Sequence, residues 1–218
     1  MKKLIAIIVA CLGLSVFANA QGIEAGDHMF SLMIGGGAGL QDSGIKKANG
    51  EEAEWGKAGA VAGLSYMVFP SEYWGLGLEV NDGIFADDKV KGIGWEEVHG
   101  MNVLNAMASM RFNLNPDSRA RLYIPFGAGL TSATGIIETK VAGNKQDKTA
   151  SYNSFGWFAG IGLEFAIGSS GRWSLGAEGR YNAFQYDTDK LMNKVGGTGV
   201  GKKDYSYLSA MFKASYRF

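Results

Sequence analysis

The last fourteen residues of the chain, Tyr205 to Phe218, alternate between apolar and more polar side chains and end on an aromatic residue. A β-strand has a side-chain period of two, so alternate residues lie on opposite faces. The apolar face would consist of Leu208, Ala210, Phe212, Ala214, Tyr216 and Phe218. This segment therefore predicts an amphipathic strand with an aromatic side chain at its last position.

Seven further alternating segments precede it. The predicted strands cover residues 28–40, 57–69, 73–85, 98–114, 121–137, 151–168, 173–186 and 205–218. The connections are short at 70–72, 115–120 and 169–172, and long and polar at 41–56, 86–97, 139–150 and 187–204. An even strand number with short turns at one end and long loops at the other is typical of transmembrane barrels. We predict an all-β fold, a closed eight-stranded antiparallel up-and-down transmembrane β-barrel with both termini on the periplasmic side.

The apolar face of each strand is predicted to face lipid, because a sheet can cross a bilayer only by closing on itself. Strand six, for example, offers Phe155, Trp157, Ala159, Ile161, Leu163, Phe165 and Ile167. Aromatic residues near the strand ends predict two interfacial girdles. The turn-side girdle would be Phe69, Tyr73, Trp74, Phe112, Tyr123, Trp173, Tyr216 and Phe218, and the loop-side one Phe85, Tyr152, Phe155, Trp157, Tyr181 and Tyr205. The alternative interpretation is that these aromatic residues form the core of a soluble β-sandwich.

The N-terminus predicts export. Lys2 and Lys3 precede an apolar run over 4–17 and a small-x-small motif at 18–20, so we expect a signal peptide over residues 1–20 and a barrel domain over 21–218. A lipoprotein acylated on Cys11 is the alternative. Cys11 is the single cysteine, so the mature domain has neither disulfides nor thiol chemistry.

Composition narrows the function further. The chain has 21 basic and 21 acidic residues, and this balance argues against a nucleic acid partner, which requires a basic surface. Its 33 glycines against three prolines, without a collagen or linker repeat, indicate tightly curved strands around a narrow lumen.

In topology, glycine-rich strands and C-terminal aromatic residue, the mature chain resembles the small barrels related to the outer-membrane protein A transmembrane domain and the opacity-protein adhesins. The resemblance implies a location in the bacterial outer membrane and contact with its lipid and lipopolysaccharide. It also implies that the terminal strand, with Phe212, Tyr216 and Phe218, is the assembly signal read by the barrel assembly machinery. We expect a monomer without cofactors.

Six charged residues have the parity of the lumen: Glu79, Arg111, Glu164, Glu178, Arg180 and Lys213. Three acids and three bases predict a neutral ion-pair network, since an unpaired buried charge is strongly unfavourable. Strand adjacency suggests the pairs Glu79–Arg111, Glu164–Arg180 and Glu178–Lys213. Such a network either fills the lumen or acts as a gate for ions and small solutes, and the resemblance to the protein A barrel favours filling.

Catalysis and metal binding have weak support in the sequence. The two histidines, His28 and His99, are predicted at opposite ends of the barrel and cannot cooperate. Asp82, Asp87 and Asp88 lack the regular ligand spacing of a calcium loop. We therefore expect no catalytic, cofactor or metal site. The expected function is that of a non-enzymatic outer-membrane protein with a structural role in the envelope and exposed loops.

Two alternatives stay open. The first is a narrow channel gated by the lumen network. The second is a surface adhesin, because exposed loops on a rigid barrel are frequent recognition sites. The lysines of the predicted third and fourth loops could in either case contact lipopolysaccharide phosphates.

Overall fold

The computed structural model describes residues 22–41, 58–92, 94–141, 144–168, 170–195 and 201–218. Within these ranges the chain forms eight strands and one helix: β1 His28–Gly39, β2 Ala58–Val68, β3 Trp74–Gly92, β4 Trp95–Asn113, β5 Ala120–Val141, β6 Asn144–Ile167, β7 Trp173–Asp187, α1 Thr188–Val195 and β8 Lys202–Arg217. The predicted signal peptide and most of the predicted first loop lie outside the described residues.

The eight strands close into a ring. Each strand pairs antiparallel with its neighbour in sequence, and β1 pairs with β8 from Met29–Arg217 to Gly39–Tyr207. The seam continues to the chain terminus, where the backbone N–H groups of His28 and Phe218 each donate to the other residue's carbonyl at 3.0 Å. The predicted closed up-and-down β-barrel is confirmed.

A band of apolar side chains covers the outside of the barrel. Leu78, Leu130 and Phe212 each keep about seven-tenths of their surface exposed, at 67%, 70% and 72%. In water so many large exposed apolar side chains would be strongly unfavourable, whereas in lipid they are solvated. The outward parity predicted for β3, β5, β6, β7 and β8 agrees with the observed alternation of exposure.

The aromatic girdles differ from the prediction. Phe69, Phe85, Tyr123 and Tyr205 are buried inside the barrel, with at most 4% exposure. Trp74, Trp173, Phe155, Trp157 and Phe218 do lie on the outer surface. The position of an aromatic residue along the strand decides whether its side chain lies inside or outside the barrel, because adjacent residues point to opposite faces.

Two of the predicted long loops are in fact strand. β3 continues to Gly92 and β4 starts at Trp95, and likewise β5 continues to Val141 and β6 starts at Asn144. At the tip of the β5–β6 extension the side chains on both faces are mostly polar, and Lys145 Nζ lies 3.1 Å from Glu138 Oε1. Alternation of apolar and polar residues is lost there because both faces can meet water, which is why the pattern alone suggests loops.

The extensions of β3 to β6 pair side by side and form a four-stranded wall beyond the apolar band. On β5 the outward residues after Leu130 begin with the polar Ser132 and Thr134, and residues 131–141 continue past Leu130. At about 3.3 Å per residue and a tilt near 45°, the wall rises on the order of 25 Å.

The predicted fourth loop contains the helix α1. Asp189 lies in its first turn, where a negative charge is favourable. Met192 is buried against the barrel, and the Lys190 ammonium lies 4.8 Å from the centre of the Tyr152 ring on the inner side of β6. The helix therefore packs over the loop end of the barrel.

Within the described part of the chain, the helix is not long and apolar enough to span a membrane.

Candidate functional site in the barrel lumen

The charged side chains of the lumen form two linked groups. The six predicted residues, Glu79, Arg111, Glu164, Glu178, Arg180 and Lys213, are all at most 4% exposed. They come from β3, β4, β6, β7 and β8, whose inward faces converge near the turn end of the barrel. The alternation of side chains places them inside, because their sequence neighbours face lipid.

Arg180 is the centre of the first group. Its Nη2 donates to Glu79 Oε2 at 2.8 Å, its Nη1 donates to Glu79 Oε1, and its Nε donates to Glu178 Oε1. Lys213 Nζ lies 3.7 Å from Glu178 Oε2. One guanidinium thus satisfies two carboxylates on β3 and β7.

Glu164 is the centre of the second group. Arg111 binds it with both terminal nitrogens, at 2.9 Å from Nη1 to Oε2 and 2.7 Å from Nη2 to Oε1. Arg121 Nε lies 3.0 Å from Glu164 Oε1 on the other side. The parallel fork of Arg111 is the strong, geometrically specific form of an arginine–carboxylate pair.

These contacts correct two of the three predicted pairs. Glu79 pairs with Arg180 rather than Arg111, and Glu164 pairs with Arg111 rather than Arg180. Glu178 and Lys213 lie 3.7 Å apart, in the predicted combination. The prediction assumed that neighbouring strands pair, whereas long arginine side chains cross a narrow lumen and reach strands that are distant in sequence.

Tyr123 connects the two groups. Its hydroxyl donates to Glu178 Oε2 at 2.7 Å, while the Arg111 guanidinium carbon lies 3.7 Å from the ring centre. Arg180 lies similarly over the Phe158 ring, at 4.1 Å. Guanidinium–aromatic stacking of this kind stabilises a desolvated cation.

Two members of this site were missed in the sequence. Arg121 and Tyr123 have the inward parity of β5, and both are buried, at 2% and 0% exposure. Arg121 is the first residue of the predicted fifth strand, and Tyr123 is predicted for the turn-side girdle. The opposite parity of Leu122 and Ile124 was the signal that could have identified both.

A chain of neutral polar side chains continues from the charged layer toward the loop end. Asn81 donates to Glu79 at 2.8 Å, Asn105 donates to Asn81 at 2.8 Å, and Thr131 donates to Asn105 at 2.7 Å. Buried polar groups are favourable only when such partners are present. These hydrogen bonds therefore hold the side chains in the middle of the lumen in one arrangement.

Beyond this polar chain the lumen is apolar. A cluster of buried side chains from the strands and from α1 fills its loop end: Met33, Val61, Phe85, Met101, Val103, Ala133, Ile137, Ala150, Phe184, Tyr186, Met192, Tyr205, Tyr207 and Met211. The Phe85 and Tyr207 rings meet edge to face, with centroids 5.0 Å apart. The loop end of the lumen is thus packed like the core of a globular protein.

The turn end is closed by the segment before β1. Ile23 N–H donates to the Pro116 carbonyl at 3.2 Å, and Gly26 N–H donates to the Phe69 carbonyl at 2.7 Å. Ile23 is 1% exposed and packs with Met29, Met67 and Phe69. Because Pro116 lies between β4 and β5, across the ring from β1, residues 22–27 form a strap over this opening.

Arg217 holds the strap from the last strand. Its Nη1 donates to Asp27 Oδ2 at 2.9 Å and to the Gly22 carbonyl. The predicted assembly-signal residues on the same strand lie outside: Phe212 and Phe218 are exposed and Tyr216 is partly exposed. Their role as a signal stays a prediction.

The two histidines lie far apart along the barrel axis. His28 begins β1 at the turn end, where its Nδ1 is 2.5 Å from the Tyr66 hydroxyl and its ring stacks on Phe218. His99 is buried in β4, fourteen residues from the turn-end limit of that strand at Asn113. At about 3.3 Å per residue and a tilt near 45°, they are separated by roughly 30 Å along the axis.

The closed ring, the external apolar band and the layer of charged side chains inside the ring define an integral outer-membrane β-barrel protein. The family model of the outer membrane protein beta-barrel domain matches residues 6–218, and the chain belongs to this family. The predicted location in the bacterial outer membrane is thereby confirmed.

Solved structures with a similar fold come from several bacteria. OprG from Pseudomonas aeruginosa is 15% identical with a TM-score of 0.51, and the alignment covers 91% of this chain and 99% of that one. Ail, the attachment invasion locus protein of Yersinia pestis, is 18% identical with a TM-score of 0.48, covering 89% and 99%. Neisserial surface protein A is 13% identical with a TM-score of 0.47, covering 89% and 98%. At these identities the likeness concerns the fold alone. No curated protein sequence matches significantly.

Proposed function

We propose that this protein is a non-enzymatic, non-conducting scaffold of the outer membrane that presents the wall of β3–β6 and the helix α1 at the cell surface. The supporting observation is the filling of the lumen along its whole length. A strap lies at the turn end, the ion pairs lie above it, the asparagine chain follows, and the apolar cluster occupies the loop end. This packing of the described residues supports a lumen without a continuous path for water and ions.

The channel alternative requires this packing to rearrange. Arg180 would have to leave two carboxylates, and breaking a buried ion pair by removing one partner typically costs about 3–5 kcal/mol. The apolar cluster beyond it would have to separate as well. These costs favour the scaffold.

Single-channel recording tests the proposal. The mature chain, refolded until it migrates differently on unheated and boiled gels, is inserted into a planar bilayer, and we expect no discrete openings. Reproducible openings that change in Arg180→Gln, but not in the exposed control Arg119→Gln, would establish the channel instead.

Surface recognition is a second candidate function, supported by the wall. Its tip carries exposed charges: Lys145 Nζ lies 3.1 Å from Glu138 Oε1 and 3.1 Å from Asp147 Oδ2. A rigid, charged hairpin that stands clear of the lipid can contact a large surface at little entropic cost. Its partner would be a cell-surface or lipopolysaccharide group.

Shortening the hairpin tests this second function. Residues 138–147 are replaced by a two-residue turn that joins Ile137 to Lys148, a pair in the observed register, so that the buried Ile137 is retained. We expect loss of adhesion of cells that express the protein, with an unchanged gel shift. A variant with charge-neutral replacements at Lys145 and Asp147 is the matched control for charge. Adhesion that survives both changes would exclude the wall as the recognition surface.

The absence of enzymatic activity is part of the proposal. It is supported by the distance between the two histidines and by the burial of His99 among strand residues. Mass spectrometry of lipid A from expressing and non-expressing cells should give identical species. A new species that disappears in His99→Ala would refute this part.

A further inference from the structure

The buried charges of the lumen do not balance. Among the described residues the two linked groups contain four cations and three anions, because Arg121 joins the six predicted residues. Arg217, the remaining buried cation near the turn end, is compensated by Asp27. An uncompensated charge in a packed, desolvated interior is strongly unfavourable. The lumen therefore carries one positive charge that no described side chain neutralises.

The same arginine has unused hydrogen-bond donors. Arg121 is 2% exposed, and its Nε and Nη1 have no hydrogen-bond acceptor within the described part of the chain. Nε still faces Glu164 at 3.0 Å, although not in hydrogen-bonding alignment. Leaving the donors of a charged buried group unsatisfied costs more free energy than leaving those of a neutral group unsatisfied.

The geometry of the guanidinium separates these two donors. The group is planar, and Nη1 lies on the side of Cζ away from the Nε–H edge. Glu164 Oε1 lies beside Nε, and Nη1 has no hydrogen-bond acceptor of its own among the described residues. The other charged groups that act on Arg121 are the cations Arg111 and Arg217 and the anion Asp27, which Arg217 already binds.

From this imbalance and these donors, we propose that the turn end of the lumen binds one small monovalent anion of the chloride class at Arg121 Nη1. A water molecule would satisfy the N–H groups but would leave the positive charge. An anion satisfies both. Arg111 and Tyr123, at 0% exposure, are packed around the layer, so a monatomic ion fits better than phosphate or a carboxylate. The site does not depend on whether the lumen conducts.

Bromide is the probe, because it replaces chloride and scatters anomalously. Crystals of the refolded protein are grown without halide, soaked in sodium bromide and measured at the bromine absorption edge. We expect an anomalous peak within hydrogen-bonding distance of Arg121 Nη1, and its loss in Arg121→Gln. Arg119→Gln is the matched control: it removes an exposed arginine two residues away, whose Nε binds the Ala166 carbonyl, and should retain the peak.

Unfolding in solution gives an independent measurement that does not need the variant to crystallise. The urea midpoint of the wild-type protein should rise from sodium gluconate to sodium bromide at equal ionic strength, and this rise should be lost in Arg121→Gln. If the wild type has neither a bromide peak nor a halide-dependent midpoint, the proposal is wrong, and Lys213 must be neutral or water must fill the site. A peak that persists in Arg121→Gln would also overturn it.

Discussion

The packing of Tyr123 against Gly162 allows a sharp test of how the lumen is built. These residues lie on the paired strands β5 and β6, at Tyr123–Gly162 in the register. A methyl group added at Gly162 would overlap the Tyr123 ring and would lie 2.5 Å from its hydroxyl oxygen. Real side chains do not approach so closely. Gly162→Ala must therefore displace the tyrosine.

The displacement has two costs. Inserting a methyl group into a packed interior destabilises by about 1–3 kcal/mol. Moving the ring also breaks the 2.7 Å hydrogen bond from Tyr123 to the buried Glu178 carboxylate, and a hydrogen bond to a charged group is worth about 1.5–3 kcal/mol. We expect Gly162→Ala to reduce the free energy of unfolding by about 2.5–6 kcal/mol.

Gly179→Ala is the matched control. Gly179 is also a strand glycine, but a methyl group there would have no atom within 4 Å. Its unfolding free energy should equal that of the wild type or exceed it by about 0.4–1 kcal/mol, because alanine restricts the unfolded chain. The difference between the two variants therefore isolates the clash with the tyrosine.

The assay is urea unfolding of the refolded protein in lipid vesicles, followed by tryptophan fluorescence and by the gel shift. The double variant Gly162→Ala/Tyr123→Leu should be less destabilised than the sum of the single changes, because the clash is removed with the ring. Equal stability of Gly162→Ala and Gly179→Ala would refute this account of the lumen.

Three other predictions follow from the ion pairs, the helix and the wall. Arg180→Met should destabilise the barrel by about 3–5 kcal/mol in the same assay, and adding Glu79→Gln should restore part of it, because one carboxylate no longer lacks a cation. Met192→Ala should speed proteolysis within the predicted fourth loop, because Met192 packs the helix α1 against the barrel. The control Asn193→Ala changes an exposed residue and should not speed it. Equal cleavage of the two variants would contradict this prediction. Hydrogen bonds to Asp147 and Glu138 raise the pKa of Lys145. The pairing at the wall tip is therefore complete below the ordinary lysine pKa and is lost as the pH rises through the higher pKa of the folded protein. NMR titration of Lys145 measures this pKa, and an ordinary lysine value would argue against the pairing.

Much of the fold was predictable because the bilayer imposes a simple rule on the strands. Lipid on one side and a polar lumen on the other produce alternation in every membrane-spanning segment, as in β8 and β6. The rule ends where the lipid ends. Residues 138–141 of β5 and 144–149 of β6 are exposed or half-buried on both faces, so their sequence resembles a loop although the backbone stays paired to Val141 and Asn144.

The lumen was less predictable, for a different reason. Parity identified which charged residues point inward, but it carries no information on the distance across the barrel. Arg180 on β7 reaches Glu79 on β3 across the ring, and Arg111 on β4 reaches past β5 to Glu164 on β6. Side-chain reach and ring closure, not strand adjacency, select these partners.

The sequence by itself determined the number of strands, the closed barrel, the lipid-facing side chains and the charged layer, because alternation with a period of two is local and requires no knowledge of neighbours. Only the tertiary structure decided which charges pair and that Arg121 lies against Glu164. It also decided that residues 22–27 close the turn end. Each of these depends on the position of one strand relative to distant ones in the ring, and this register arises only when the barrel closes.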